Sequence, residues 1–166
     1  MPKILSALQN HLREIGLTFR ETGEPAVLET TFDAETCTYK LCAVAVEEQG
    51  RVIFYAVCPV KAPPKLRHNV AEFITRANSG LMIGNLEMNF ENGEVRYKTS
   101  IDVTAQELKR EVIEPLLMTG VTCMDFFMPK LMLILYAGLG AADAIAPLKS
   151  LSQGGSGDEN SRWDCN

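Results

Sequence analysis

The chain has two histidines, one tryptophan and no pair of cysteines spaced C-x-x-C. Each scarcity removes a class of chemistry. Ser–His–Asp and Cys–His nucleophiles need a histidine. His11 lies beside Gln9 and Arg13, and His68 follows Arg67, so both read as solvated surface residues. No G-x-S-x-G is present. A zinc site built from closely spaced ligand pairs has nothing to build on, so neither metal nor cofactor is expected. The paired carboxylates Glu47-Glu48 and Asp158-Glu159 fall in a turn and in a polar tail, where solvated charge is their reading. No catalytic residue is assigned, and the chain reads as a non-enzyme.

A long basic run is also missing. The net charge is −5 with a pI near 5.1, and the densest basic stretches, KAPPKLRH and the LKR at 108–110, are short and mixed. Nucleic acid is therefore not the expected partner. The five cysteines, Cys37, Cys42, Cys58, Cys123 and Cys165, read as reduced, small apolar residues, which places the chain in the cytoplasm. MPKILSALQNHLREIG has no continuous apolar stretch and no small-residue cleavage site, so it does not read as a secretory signal. The membrane-like run LMLILYAGLGAADAIAPL, 131–148, is interrupted by Asp143 and diluted by Gly and Ala, and is expected to be a buried helix.

What is present is a chain of 166 residues, 46% apolar and 22% charged, the composition of a globular domain. One domain is expected over 1–149, with a Gly/Ser-rich tail over 150–166 expected to be disordered. Ile4, Leu5, Leu8, Leu12 and Ile15 give one helical stripe, stopped at Gly16. Strands are expected over 26–33, 38–47 and 51–58, the last two joined by EEQG. These two are apolar on both faces, as in central strands covered twice, by the domain's own helices and by a loop, a long helix or a second subunit. After PVKAPP, Leu66, Val70, Phe73, Ile74 and Ala77 give a second amphipathic helix, ending near Ser79.

The next stretch, ANSGLMIGN, raises the possibility of a phosphate loop. Such loops run strand, glycine loop, helix, with N–H groups aimed from the helix N-terminus. Here a helix precedes and a strand follows, so Gly80 and Gly84 read as a helix C-cap and the start of a hairpin. Asn92-Gly93 is a strong two-residue hairpin signal. A two-residue loop predicts the pairs Phe90–Val95, Asn89–Arg96, Met88–Tyr97, Glu87–Lys98 and Leu86–Thr99. Leu86, Met88 and Phe90 then share a core face with Val95, Tyr97 and Thr99. Thr104 to Glu107, TAQE, matches a capping box that starts a helix bent or ended at Pro115 and Thr119-Gly120. A last helix is expected over about 121–139, broken or bent at Pro129. The order α-β-β-β-α-β-β-α-α implies an α+β fold, an antiparallel sheet with helices packed on one face.

FITRANSGLMIGNLEMNFENGEVRYKTSIDV resembles the central segment of the YbjN family, described as bacterial sensory transduction regulators. Asn78, Gly80, Gly84, Asn85, Glu87, Gly93, Glu94, Val95, Arg96 and Tyr97 carry the likeness. It implies a fold similar to type III secretion chaperones, small α+β proteins that commonly dimerise and hold a partner polypeptide, and it offers no catalytic residues.

Two functional readings follow. The first is a chaperone-like or regulatory protein-binding module, a homodimer holding a partner through apolar surface. Its candidate residues are Leu81, Met82 and Ile83 between the glycines, and Met124, Phe126, Phe127, Met128, Met132 and Tyr136 of the last helix. The second is a small-molecule-sensing regulator with a cleft near Gly80–Gly84.

Overall fold

The computed structural model describes residues 3–23, 26–105 and 107–146. The apolar spacing of the N-terminus gives helix α1 (Lys3–Glu14), which buries Leu8 and Leu12 and stops at Gly16. Four strands follow: β1 (Arg20–Thr22), β2 (Val27–Asp33), β3 (Thr38–Val46) and β4 (Arg51–Val57). Helix α2 (Arg67–Asn78) leads into β5 (Asn85–Met88) and β6 (Val95–Asp102). The chain then forms a long helix, α3 (Arg110–Ala137), and a short one, α4 (Ala141–Ile145). All six strands make one antiparallel sheet in the order β1-β2-β3-β4-β6-β5.

The expected order lacked β1. Its three residues, Arg-Glu-Thr, carry no apolar alternation, so periodicity is silent there. Pairing makes the strand: Arg20 lies opposite Glu29, and their side chains meet at 2.7 Å.

Alternation does sort the two faces of the sheet. Leu28, Ala43, Phe54 and Thr99 form one cross-strand row, and Leu41, Ala56, Tyr97 and Leu86 another. All eight are buried, and the helices lie on this face. The opposite face carries Val44, Val46, Ile53, Tyr55 and Val57, all half-buried. Ion pairs flank them: Glu29 with Arg20 and Lys40 on one side, Glu87 with Arg96 on the other. The second cover expected over β3 and β4 is therefore not a helix of this domain among the described residues.

The β5–β6 hairpin departs from its expected register. Met88 pairs with Val95, Glu87 with Arg96 and Leu86 with Tyr97. The turn is wider than two residues because Asn89 takes it over: its side chain accepts from the Glu91 N–H at 2.9 Å, and its carbonyl accepts from Gly93 at 2.8 Å. The slip is two residues, so Leu86 and Met88 keep their face while Phe90 moves into the exposed loop.

The capping box does not start a helix. Thr104 instead bonds Asp102 through its N–H at 3.0 Å and its hydroxyl at 2.6 Å, and α3 begins at Arg110. Nor is α3 broken at Pro115, Gly120 or Pro129. An interior proline costs roughly 3 kcal/mol or more. Against two of them stand nine buried apolar side chains, from Ile113 to Ile134, each worth about 1.5–3 kcal/mol, so packing holds the helix through both. Gly120 lets it lie close to the sheet: a Cβ there would sit 3.9 Å from Ala56 Cβ and 4.0 Å from the Tyr97 ring.

Candidate partner-binding surface

One side of α3 rests on the sheet and α2. Phe127 packs edge-to-face on Phe73 of α2, with ring centroids 6.0 Å apart, and the Thr99 hydroxyl of β6 donates to the Leu116 carbonyl at 3.0 Å. The other side is exposed at Thr122, Phe126, Pro129, Leu133 and Tyr136. These positions follow the 3.6-residue period, and four of the five side chains are apolar or aromatic. Tyr136 is 74% exposed and Leu133 38%. Lys130 lies beside this stripe, its ammonium 5.3 Å from the Phe126 ring centroid. Burial of the Lys130 stem pulls its pKa below the usual lysine value.

Asp125, next to Phe126, fixes the middle of α3 to the β2–β3 turn. Its carboxylate accepts from the Thr36 N–H at 3.1 Å, from the Thr36 hydroxyl and from the buried Tyr39 hydroxyl at 2.9 Å. Burial opposes ionisation there, but these donors outweigh it and hold the Asp125 pKa below its ordinary value. Burial raises the Tyr39 pKa.

The loop between α2 and β5 is held against the same core. The Tyr97 hydroxyl donates to the Ile83 carbonyl at 2.5 Å. Gly84, at φ +75°, sits so close that a Cβ would come within 2.6 Å of the Tyr97 ring and of the Lys98 carbonyl oxygen. The space at Gly84 is filled by the protein's own chain. A cleft of about 720 Å³ lies at the start of α1, lined by Ile4, Ala7, Val103 and Leu108 with Lys3, Glu47 and Glu107 among its polar groups.

The candidate residues divide. Met124, Phe127 and Met128 are buried in the core, and Leu81 and Met132 are half-buried against it. Phe126 and Tyr136 lie on the outer stripe, while Met82 and Ile83 are exposed on the loop that Tyr97 anchors. Pro129 and Leu133 join the stripe because α3 runs unbroken through Pro129, where the sequence suggests a break or bend. Phe90, expected on the core face, is exposed in the hairpin loop. It stacks edge-to-face on His68 with centroids 5.2 Å apart.

His11 is more than a solvated residue. Its ring nitrogens lie 3.2 Å from a Glu14 carboxylate oxygen and 3.1 Å from the Leu108 carbonyl, tying α1 to the approach to α3. Cys58 and Cys123 are buried in the core, Cys42 is buried on the opposite face of the sheet and Cys37 is half-buried; burial pushes the Cys58 pKa up to about 11. Cys165 lies outside the described residues, as do the expected tail and the domain's boundary with it. Among the described residues α3 is the one helix long and apolar enough to cross a membrane, and half of its most apolar window is buried in the domain. The described part of the membrane-like run, 131–146, divides between α3, the Gly138 turn and α4.

No protein family and no curated protein matches the chain by sequence. Solved structures do match by fold. YbjN of E. coli, a candidate transcription regulator, superposes with a TM-score of 0.55 at 18% identity, covering 81% of this chain and 90% of that one. A chain of the ExsC–ExsE complex gives a TM-score of 0.52 at 18% identity, covering 76% of this chain and 92% of that one. This chain therefore has an α+β fold like those of YbjN and of that chain of the ExsC–ExsE complex.

Proposed function

We propose that this chain is a non-enzymatic protein-binding module of the chaperone-like or regulatory kind. It holds a segment of another polypeptide against apolar surface, and it works as a homodimer in a cytoplasmic setting. The observation that carries the reading is the outer stripe of α3, where Phe126, Pro129, Leu133 and Tyr136 face outward in helical phase. Met82 and Ile83 add exposed apolar side chains on a loop anchored through Tyr97. The half-buried residues of the open sheet face, framed by ion pairs, support the second subunit. ExsC, a neighbour in fold, is known in a complex with ExsE.

The test has two arms. Light scattering on the purified chain reads the dimer, and a strict monomer across the working concentration range removes it. Capture from native cells with the wild type and with Tyr136→Asp reads the stripe. A partner retained by the wild type and lost by the variant is expected; equal retention by both sinks the assignment of the stripe.

A further inference from the structure

The large apolar side chains left in the open are concentrated around α3. Among the described residues six are exposed, and five of them, Met82, Ile83, Phe126, Leu133 and Tyr136, belong to the loop before β5 or to the outer stripe of α3. Tyr97 joins the two. Its hydroxyl holds the Ile83 carbonyl, and its ring lies 4.0 Å from where a Cβ of Gly120 would stand. The loop therefore stands beside the N-terminal half of α3. Apolar surface gathered in this way marks an interaction site.

The stripe is complementary to itself. Stepped back from Thr122 in helical phase, its positions are Thr119, Pro115 and Val112, of which Pro115 is exposed and the other two half-buried. Three pairs are equidistant from Met124: Thr122 with Phe126, Pro115 with Leu133, and Val112 with Tyr136. In each pair the first side chain is the smaller, so the first half of the stripe is low and the second half high. Thr119 and Pro129, the fourth pair, are nearly equal in size. Two copies of α3 laid antiparallel about a two-fold axis level with Met124 set the high half of each on the low half of the other. A contact between identical patches requires this self-complementarity. Charge permits it as well. Each chain carries −5, so copies repel unless they meet through uncharged surface. Asp125 turns its carboxylate inward, to Thr36 and Tyr39, and Lys130 falls level with Met118 of the other copy rather than with a second lysine. From Val112 to Tyr136 the stripe runs about 36 Å, and a helix face is roughly 10 Å wide. With the loop, each copy offers on the order of 400–500 Å², against roughly 800 Å² per partner in a standard stable interface. A contact of that size forms and parts readily.

We propose that two copies of this chain pair through α3, antiparallel about a two-fold axis level with Met124, and that this weak pairing covers the stripe until another polypeptide displaces it. The displacement rests on the reading of the stripe as a partner-binding surface; the pairing does not. It is a contact separate from any made through the open sheet face.

Sedimentation of the purified full chain over a range of concentrations reads the pairing. The mass should double reversibly as concentration rises, and Tyr136→Asp should keep the lower mass throughout, whether the unit that pairs is one chain or a dimer held elsewhere. Tyr136 is 74% exposed, and unchanged far-ultraviolet circular dichroism verifies that the variant is folded. Two cysteine variants read the direction. In the antiparallel pair, copies of Thr122→Cys lie about 6 Å apart along the helix axis and copies of Ala137→Cys about 39 Å apart. A short thiol cross-linker should therefore join Thr122→Cys to itself above the wild-type background, and leave Ala137→Cys at that background. Equal masses for the wild type and Tyr136→Asp at every concentration overturn the proposal. Failure to join Thr122→Cys, or joining of Ala137→Cys, overturns the antiparallel two-fold. An association kept in Tyr136→Asp and lost in Ile53→Glu, on the open sheet face, places the second copy there; it overturns pairing through α3 and leaves the homodimer reading standing. No other polypeptide is present in these assays, so the partner-binding reading keeps its own test.

Discussion

The carboxamide of Asn78 pairs with both backbone polar groups of Leu86. Its oxygen accepts from the Leu86 N–H at 2.8 Å, and its nitrogen donates to the Leu86 carbonyl at 3.0 Å. Strand β5 is the last of the sheet, so these two groups point away from β6 at an open edge. A side chain at the end of α2 thus supplies, at one residue, what another strand would supply, and blunts the edge against pairing with other chains. Asn69, nine residues earlier on the same helix, does likewise for the α3–α4 turn, donating to Leu139 O at 3.0 Å and accepting from Ala141 N–H at 2.9 Å. Without Asn78 the Leu86 N–H loses its acceptor, while the Leu86 carbonyl keeps the Asn85 carboxamide at 3.2 Å; one such buried group left unpartnered costs about 1–3 kcal/mol. Asn78→Ala should therefore lower the unfolding free energy by about that amount, read as a lower urea midpoint with the slope of the transition unchanged. Asn78→Asp keeps the acceptor and loses the donor, so it should remain clearly less stable than the wild type. A midpoint unaltered in both variants would show that the edge gains nothing from Asn78.

Gly93 and Gly138 both sit at positive φ, +75° and +69°, yet they should respond differently to alanine. A Cβ at Gly93 would come within 2.0 Å of the Ala62 carbonyl oxygen, because the hairpin loop lies against the backbone leading to α2 and Ala62 N–H donates to Gly93 O at 2.8 Å. Around Gly138 nothing stands within 4 Å. Gly138→Ala should cost only the left-handed backbone conformation, about 1–2 kcal/mol. Gly93→Ala must in addition push the loop off Ala62, so it should cost more than Gly138→Ala in the same urea titration. Equal losses would mean that the loop yields freely.

These residues mark what could be read in advance. The faces of β3, β4 and β6 were legible because a period of two survives even a register error of two residues, as between Leu86 and Tyr97. The width of the β5–β6 turn was not, because Asn89, three residues before Asn92-Gly93, outcompetes the tighter turn through its own side chain. β1 was invisible because its three polar residues become a strand only by pairing with β2. In α3 the obstacle was local propensity: Pro115 and Pro129 argue for breaks, and only tertiary packing overrides them. Breaking the helix at Pro129 lost its phase, and with it the distinction between Phe126, which faces out, and Phe127, which faces in. Asn78 and Gly93 carried the family likeness, but their roles need the backbone they touch.

Acid should weaken the tie between α3 and the β2–β3 turn. The Asp125 pKa is depressed below its ordinary 3.8, so the folded state holds its proton less tightly than the unfolded state. Its contribution is fully present above the unfolded value and is lost as pH falls through the folded one. Glu29, bonded by Lys40 and Arg20, is depressed in the same direction from 4.5. Stability should thus decline as pH drops below about 4–5, and Asp125→Asn should flatten that decline while lowering stability at neutral pH. A decline as steep in the variant as in the wild type would remove Asp125 from the account.

Phe127 and Tyr136 separate the two jobs of α3. The Phe127 ring is fully buried against Phe73, and truncating such a side chain typically costs about 3–5 kcal/mol. Phe127→Ala should therefore lower the melting temperature by many degrees. Tyr136→Asp touches a side chain 74% exposed and should change stability by about 0.5 kcal/mol or less, while altering whatever the outer stripe binds. Melting curves of the two variants, set beside capture by the same proteins, give the decisive contrast. If Tyr136→Asp also destabilises the chain strongly, the stripe is part of a core that the described residues do not complete. If it changes neither stability nor binding, the exposed half of α3 has no partner, and Phe126, Leu133 and Tyr136 are surface residues without a function in binding.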